Sequence, residues 1–91
     1  MGAIALDWDD LRIFLAVARS ESLSRAGAAL RIDPATVGRR IARLEDRLAA
    51  KLFTKSPLGY ALTDAGQRLV PHAEAAEQAA VGAAGELQTG A

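Results

Sequence analysis

Asp33-Pro34 opens the stretch that most constrains this chain. An aspartate before a proline marks a helix start: its carboxylate accepts from the orphan N–H groups of the first turn, and proline fills a position whose N–H has no partner anyway. From there Val37, Ile41, Leu44 and Leu48 recur at i, i+4, i+7 and i+11 as one apolar stripe. At about 100° per residue, Thr36, Arg40, Arg43 and Arg47 share a flank, with Arg39 between them and the outermost line. A helix over residues 34–50 with one aliphatic edge and one guanidinium edge must lie on a core, with its cations turned away from it.

Two shorter helices precede it. Asp7 is an N-cap, Asp9 and Asp10 sit at the positive end of the helix dipole, and Leu11, Phe14, Leu15 and Ala18 form one apolar face joined by Trp8. The polar cluster Arg19-Ser20-Glu21-Ser22 ends this helix. Ser22 or Ser24 caps the next, which turns Leu23, Ala26 and Leu30 inward. Its thin middle, Ala26 to Ala29, lets another helix axis come close. The turn Arg31-Ile32-Asp33 then leads to Pro34.

Past Ala50 the pattern changes. Leu52 to Lys55 and Tyr60 to Leu62 have strand-like composition around the turn Ser56-Pro57-Leu58-Gly59, which predicts a two-stranded hairpin leaning on the helices. Thr63 caps a final helix from about Asp64. In it Leu69, Ala73, Ala76, Ala80, Ala83 and Leu87 follow the four-three spacing of a coiled-coil seam. Pro71 is expected to bend that helix or cost about 3 kcal/mol. Gly82, Gly85 and Gly90 are expected to fray its far end.

Charge is asymmetric although the net is zero. Residues 34–63 hold Arg39, Arg40, Arg43, Arg47, Lys51 and Lys55 against only Glu45 and Asp46, while both flanking segments are net acidic. A positive middle between acidic ends fits a chain whose centre alone meets an anion. Two short helices joined by a tight turn form a helix-turn-helix, whose second helix fits the DNA major groove and reaches base edges with its N-terminal residues. Those are Pro34, Ala35, Thr36, Gly38, Arg39 and Arg40. The Thr36 hydroxyl suits phosphate or base, and its methyl and that of Ala35 suit a thymine methyl. Arginine forks match guanine or phosphate, and Gly38 lets the backbone approach closely.

Other chemistries find little support. Without cysteine there is no disulfide scaffold, thiolate metal site or cysteine nucleophile. His72 is the only histidine, so no metal or other cofactor is expected, and no base stands near a serine to activate it. No glycine-rich phosphate loop occurs. The apolar runs are too short to span a membrane and no signal peptide is evident, so a cytoplasmic, non-enzymatic protein is expected. Trp8 belongs to the core by its register. Arg12, Arg19 and Arg25 suit solvent as well as phosphate, with Arg25 the best placed for phosphate. The rival reading is a small helical protein-interaction module whose alanine-rich tail dimerises and whose arginines meet an acidic partner. A stand-alone winged helix without ligand control is a third.

The chain resembles the N-terminal domain of the LysR-type transcriptional regulators over roughly residues 8 to 75. The matching stretches are Leu11-Arg12-Ile13-Phe14 with Ala16-Val17-Ala18, Ser22-Leu23-Ser24-Arg25-Ala26, Leu30 with Ile32, Val37 with Arg39, and Ile41 with Arg43-Leu44-Glu45. Leu52-Phe53 and Leu62-Thr63-Asp64-Ala65-Gly66 bracket the hairpin in the same way. The resemblance implies a mainly α fold: a winged helix-turn-helix over 1–62, with three helices and a two-stranded wing, then a linker and dimerisation helix over 63–91. It implies a bacterial regulator bound to double-stranded DNA as a homodimer on a partly palindromic operator, tetrameric in the full-length protein. Helix 34–50 would lie in the major groove, Arg43 would join its contacts, and Ser24, Arg25, Lys55 and Ser56 would flank it. Leu69, Ala73, Ala76, Ala80, Ala83 and Leu87 would dimerise. Two departures stand out: Gly38 replaces a common serine, and the wing tip Ser56-Pro57-Leu58-Gly59 has Lys55 as its only cation. A small-molecule effector is expected only for a C-terminal domain that this chain does not contain, so a fragment of a longer protein is expected.

Overall fold

The computed structural model describes residues 6–89. Its elements run α1 (Trp8–Ser20), α2 (Leu23–Leu30), α3 (Pro34–Leu48), β1 (Phe53–Ser56), β2 (Gly59–Leu62) and α4 (Asp64–Thr89). The anticipated caps form. Asp7 Oδ1 accepts from the N–H of Asp9 at 3.3 Å, Ser22 Oγ from Arg25 at 3.1 Å, and Asp33 Oδ1 from Ala35 at 2.7 Å. The helix ends carry a feature the sequence did not announce. Glu21, Arg31 and Ala49, none of them glycine, terminate α1, α2 and α3 in the left-handed region at φ 57°, 61° and 54°. That conformation costs about 1–2 kcal/mol per residue. It is repaid in part by carbonyls that gain donors: Val17 from the N–H of Glu21, Gly27 from Ile32 and Glu45 from Ala50.

α1 is the central helix. Leu11, Phe14 and Leu15 are buried as the periodicity requires, and Trp8 and Ala18 are half-buried against them. Ile13 and Val17 are buried as well, because α2, α3 and α4 surround α1 on several sides. α3 contributes Val37, Ile41 and Leu44 to this core, and β1 brings Phe53, whose ring centroid lies 5.5 Å from that of Phe14. Phe14 is wholly buried, so its truncation to alanine would cost about 3–5 kcal/mol. In the thin middle of α2, Ala26 and Gly27 are buried but Ala28 and Ala29 are exposed. What comes close to Gly27 is the following turn and the first residue of α3: a Cβ there would lie 2.7 Å from the Ile32 carbonyl oxygen and 3.3 Å from the Pro34 nitrogen.

The hairpin is antiparallel, with Phe53 opposite Leu62 and Ser56 opposite Gly59, leaving Pro57 and Leu58 as its turn. It leans on the helices at a defined point. The Tyr60 N–H donates to the Glu21 carbonyl at 3.0 Å, and Gly59, at φ 128°, approaches the same carbonyl so closely that a side chain would collide with it. β2 then passes into α4 through Thr63. Its Oγ1 accepts from the Gly66 N–H at 3.0 Å and donates to the Lys51 carbonyl at 2.6 Å.

Packing does not divide at residue 62. The early turns of α4 lie on α1, with Ala73 fully buried and Leu69, Val70 and Ala76 half-buried against the core. Of the expected dimerisation seam, Leu69, Ala73 and Ala76 pack on the core of their own domain, because α1 needs cover on that side. Ala80, Ala83 and Leu87 remain exposed. The helix also continues through Pro71, Gly82 and Gly85 to Thr89, so the expected fraying is not seen over these residues; Gly90 lies outside the described residues. Pro71 is exposed, where water can take the carbonyl that its missing N–H leaves open.

Candidate nucleic-acid interface

α3 sits with its apolar stripe on α1 and α2 and its opposite side in solvent. The outer line consists of Ala35, Arg39, Ala42, Arg43 and Asp46, all exposed. Pro34 is exposed at the N-terminal end, and Thr36 is half-buried beside it. Arg39 Nη2 donates to Thr36 Oγ1 at 2.9 Å, so these two side chains form one polar unit on the first two turns. Gly38, on the side toward the wing, is half-buried, and a Cβ there would come within 3.2 Å of Leu23 Cδ1.

The arginine flank does not act as one surface. Arg40 turns toward the start of α1, where its Nε and Nη2 donate to Asp10 Oδ1 at 3.2 and 2.7 Å and Nη2 also reaches Asp9 Oδ2 at 2.9 Å. Arg47 lies 3.9 Å from the other Asp10 oxygen. Asp10 is only 5% exposed, and these guanidinium groups compensate its buried charge. Asp9, hydrogen-bonded to Arg12 and Arg40, is held below the ordinary carboxylate pKa, while Asp10 and Asp9 raise Arg40 above its own ordinary value. Arg40, expected among the residues that reach base edges, is thus held by the carboxylates of α1. It lies on the flank that meets α1, one helical step away from the outer line.

A second cluster forms between α2 and the wing. Ser24, Arg25, Lys55 and Ser56 line one shallow groove, so these four sequence-selected residues do come together. Arg25 folds back on α1, donating through Nε and Nη2 to the Ser20 carbonyl at 3.1 and 2.7 Å. Ser56 shapes the turn by accepting from the Leu58 N–H at 3.2 Å. Lys55 also borders the cleft between α3 and the wing, with Gly38, Ala42 and Tyr60.

Two contributions were missed from sequence. Glu45 Oε2 accepts from the backbone N–H of Leu52 at 2.8 Å and of Phe53 at 3.4 Å, so one α3 carboxylate fixes where the wing begins. Its position one turn beyond Ile41, at the edge of the apolar stripe, was the available signal. Arg31 is exposed at the turn before α3, with its backbone in the left-handed region, which composition does not reveal.

The ion pairs sort the cations. Arg12, Arg19, Arg40, Arg47, Lys51 and Arg68 each lie within 4.0 Å of a carboxylate. Among the described residues, Arg25, Arg31, Arg39, Arg43 and Lys55 do not. This second set belongs to the start of α2, the turn, the outer line of α3 and the wing. No helix among the described residues is long and apolar enough to cross a membrane.

Three helices, with α2 and α3 joined by the turn Arg31-Ile32-Asp33 and followed by an antiparallel hairpin, define a winged helix-turn-helix. Residues 8–67 match the bacterial regulatory helix-turn-helix protein, lysR family, and the chain belongs to that family. It is 42% identical over 69 residues to the HTH-type transcriptional regulator HdfR of Yersinia pestis, covering 76% of this chain and 24% of the relative. The chain thus spans about a quarter of the length of the curated relatives it matches. A solved LysR family transcriptional regulator, VV2_1132, superposes with a TM-score of 0.72 at 30% identity, over 80% of this chain and 25% of that one. The CbnR_DBD-DNA complex superposes with a TM-score of 0.83 at 24% identity, over 93% of this chain and 98% of that one, a likeness of fold.

Proposed function

We propose that this chain is the DNA-binding part of a bacterial transcriptional regulator, with α3 in the major groove of double-stranded DNA. The sorting of cations carries the reading: those without carboxylate partners lie on the face that a helix-turn-helix and its wing turn to a duplex. Arg39 and Thr36, with Pro34, Ala35 and Gly38, meet base edges at the start of α3, and Arg43 follows the backbone. Ser24, Arg25, Lys55 and Ser56 take the flanking sugar-phosphate. Arg31 joins them as a phosphate contact. Arg40 orients α3 through Asp10 and touches no DNA.

The protein acts in the cytoplasm as a dimer on a partly palindromic operator. Two recognition helices must sit about 34–36 Å apart, or a multiple of it, to use one side of the duplex. The exposed Ala80, Ala83 and Leu87 of α4 supply the contact between copies. Effector binding and any higher assembly belong to the remainder of a longer protein.

The test is a fluorescence titration against duplex DNA at several salt concentrations. Each phosphate neutralised contributes about −0.9 to the slope of log affinity against log salt, so four or five such cations give about −4 per chain. No duplex binding at low salt would sink the proposal and favour an acidic protein partner.

A further inference from the structure

Arg19 and Glu77 join α1 to α4 by a two-pronged contact that the DNA-facing surface does not use. Arg19 Nη1 donates to Glu77 Oε2 at 2.8 Å and Nη2 to Glu77 Oε1 at 2.7 Å, with Glu74 Oε2 standing 3.9 Å from the same Nη2. The position matters more than the energy. Exposed ion pairs contribute little to stability, but the planar fork-to-fork geometry fixes direction as well as distance. Ala73 and Ala76 pack on the core just upstream, and from Gln78 to Gln88 every residue is exposed. Glu77 is therefore the last half-buried residue of α4 over the stretch to Gln88. Arg19 comes from the final turn of α1, the central helix of the core.

We propose that Arg19 and Glu77 are positioning residues that set the angle at which the distal part of α4 leaves the domain, and through it the separation of two paired recognition helices. The second half of this statement rests on the dimeric, DNA-binding reading above; the first half does not. Residues 78–89 form twelve helical residues, an arm of about 18 Å at 1.5 Å per residue. A 10° change at Glu77 swings the end of that arm by about 3 Å, close to the ~3.4 Å spacing of one base pair. Glu74, one turn earlier on α4, offers the guanidinium an alternative acceptor. Loss of Glu77 would thus move the pivot back along the helix without leaving Arg19 unpaired.

The chain has no cysteine, so spin labels can be placed at will. Ala29 on α2 and Gln88 on α4 are both exposed, and Ala29→Cys with Gln88→Cys reports the angle of the arm by pulsed EPR, with labelled chain diluted into unlabelled chain. Glu77→Gln, and Arg19→Lys, which keeps the charge but loses the fork, should broaden the distance distribution or shift its mean by about 3 Å or more. The far-ultraviolet circular dichroism should stay unchanged. A distribution identical to that of the parent chain in both variants would overturn the proposal. Selection from a random duplex pool tests the consequence: the parent chain should recover paired half-sites at one spacing, and Glu77→Gln the same half-sites with spacings spread by about one base pair or more. Unaltered spacing would refute the link to DNA. Recovery of single half-sites by the parent chain would refute the dimeric reading while the EPR result still decides the clamp.

Discussion

Replacing Asp10 by asparagine should weaken the fold and, at the same time, strengthen the salt dependence of DNA binding. The asparagine would keep the shape and one acceptor but lose the charge that Arg40 and Arg47 compensate. The two Arg40 hydrogen bonds would fall from the charge-assisted to the ordinary range, a loss of about 0.5–1 kcal/mol each. A carboxylate in the first turn of α1 also gains about 0.3–1 kcal/mol from the helix dipole. Outright breakage of a buried pair costs about 3–5 kcal/mol, but Arg40 keeps Asp9 at 2.9 Å and is itself 24% exposed. The expected cost is about 2 kcal/mol, or roughly 10 °C in Tm for a domain of this size. Urea unfolding followed by the fluorescence of Trp8, the single tryptophan, measures it. Arg40→Met and the double variant complete a cycle whose coupling should exceed about 1 kcal/mol. In parallel, loosened Arg40 should make the salt slope for duplex DNA steeper by about one phosphate. A cost below about 0.5 kcal/mol with additive singles would refute the ion-pair reasoning. An unchanged slope on Asp10→Asn together with a shallower one on Arg40→Met would mean that Arg40 already touches DNA.

Arg39→Ala should weaken binding to a selected site by about 1–3 kcal/mol and spare a scrambled duplex; equal losses on both would make Arg39 a phosphate contact. Ala49→Gly should stabilise the domain by about 1 kcal/mol in urea unfolding, because Ala49 holds φ 54° at the end of α3 and is exposed. Asp9 and Glu77 are both held below their ordinary pKa values of 3.8 and 4.5 by arginine hydrogen bonds. Carboxyls depressed in the folded state stabilise it above their unfolded pKa, and that contribution disappears as pH falls through the folded value. Stability should accordingly decline below about pH 4.5, and Asp9→Asn with Glu77→Gln should flatten that decline in acid titrations. Leu87→Glu should abolish self-association in sedimentation and leave unchanged the unfolding midpoint measured at concentrations where the parent chain is monomeric, since Leu87 is 81% exposed within its own chain.

What could be read from the sequence follows from which interactions are local. The caps Asp7, Asp33 and Thr63 act within three residues, and the stripe Val37-Ile41-Leu44 is set by helical period alone; all of these are found in place. The exposed line through Arg39 and Arg43 follows from the same period. Arg40 did not, because its fate depends on Asp10, thirty residues away in sequence and brought close only by packing. The four-three pattern in α4 does not by itself tell which of its residues the domain uses, for a related reason. Spacing says that Leu69, Ala73 and Ala76 share a face with Ala80, Ala83 and Leu87, but not that α1 ends where Glu77 meets Arg19, so that one face serves two purposes along its length. Glu45 was overlooked because its partners are backbone N–H groups, which every sequence possesses.

The pairing of charges also explains how a chain of zero net charge can present a face to a polyanion. Coulomb energy between exposed charges decays within about 10 Å at ordinary salt, so a ligand senses nearby groups, not the sum over the molecule. Asp9, Asp10, Glu74 and Glu77 are positioned against arginines on and beside α1, away from the outer line of α3. The acidic ends of the sequence therefore neutralise cations that have structural work, and Arg39, Arg43 and Lys55 are left with uncompensated charge on exposed positions. Asp46 is the exception on that outer line: a carboxylate one turn beyond Arg43, exposed at the far end of α3. It should repel phosphate there and confine duplex contact to the residues up to Arg43, so Asp46→Asn should raise affinity for specific and scrambled duplexes alike. A gain restricted to the specific site would instead place Asp46 against a base.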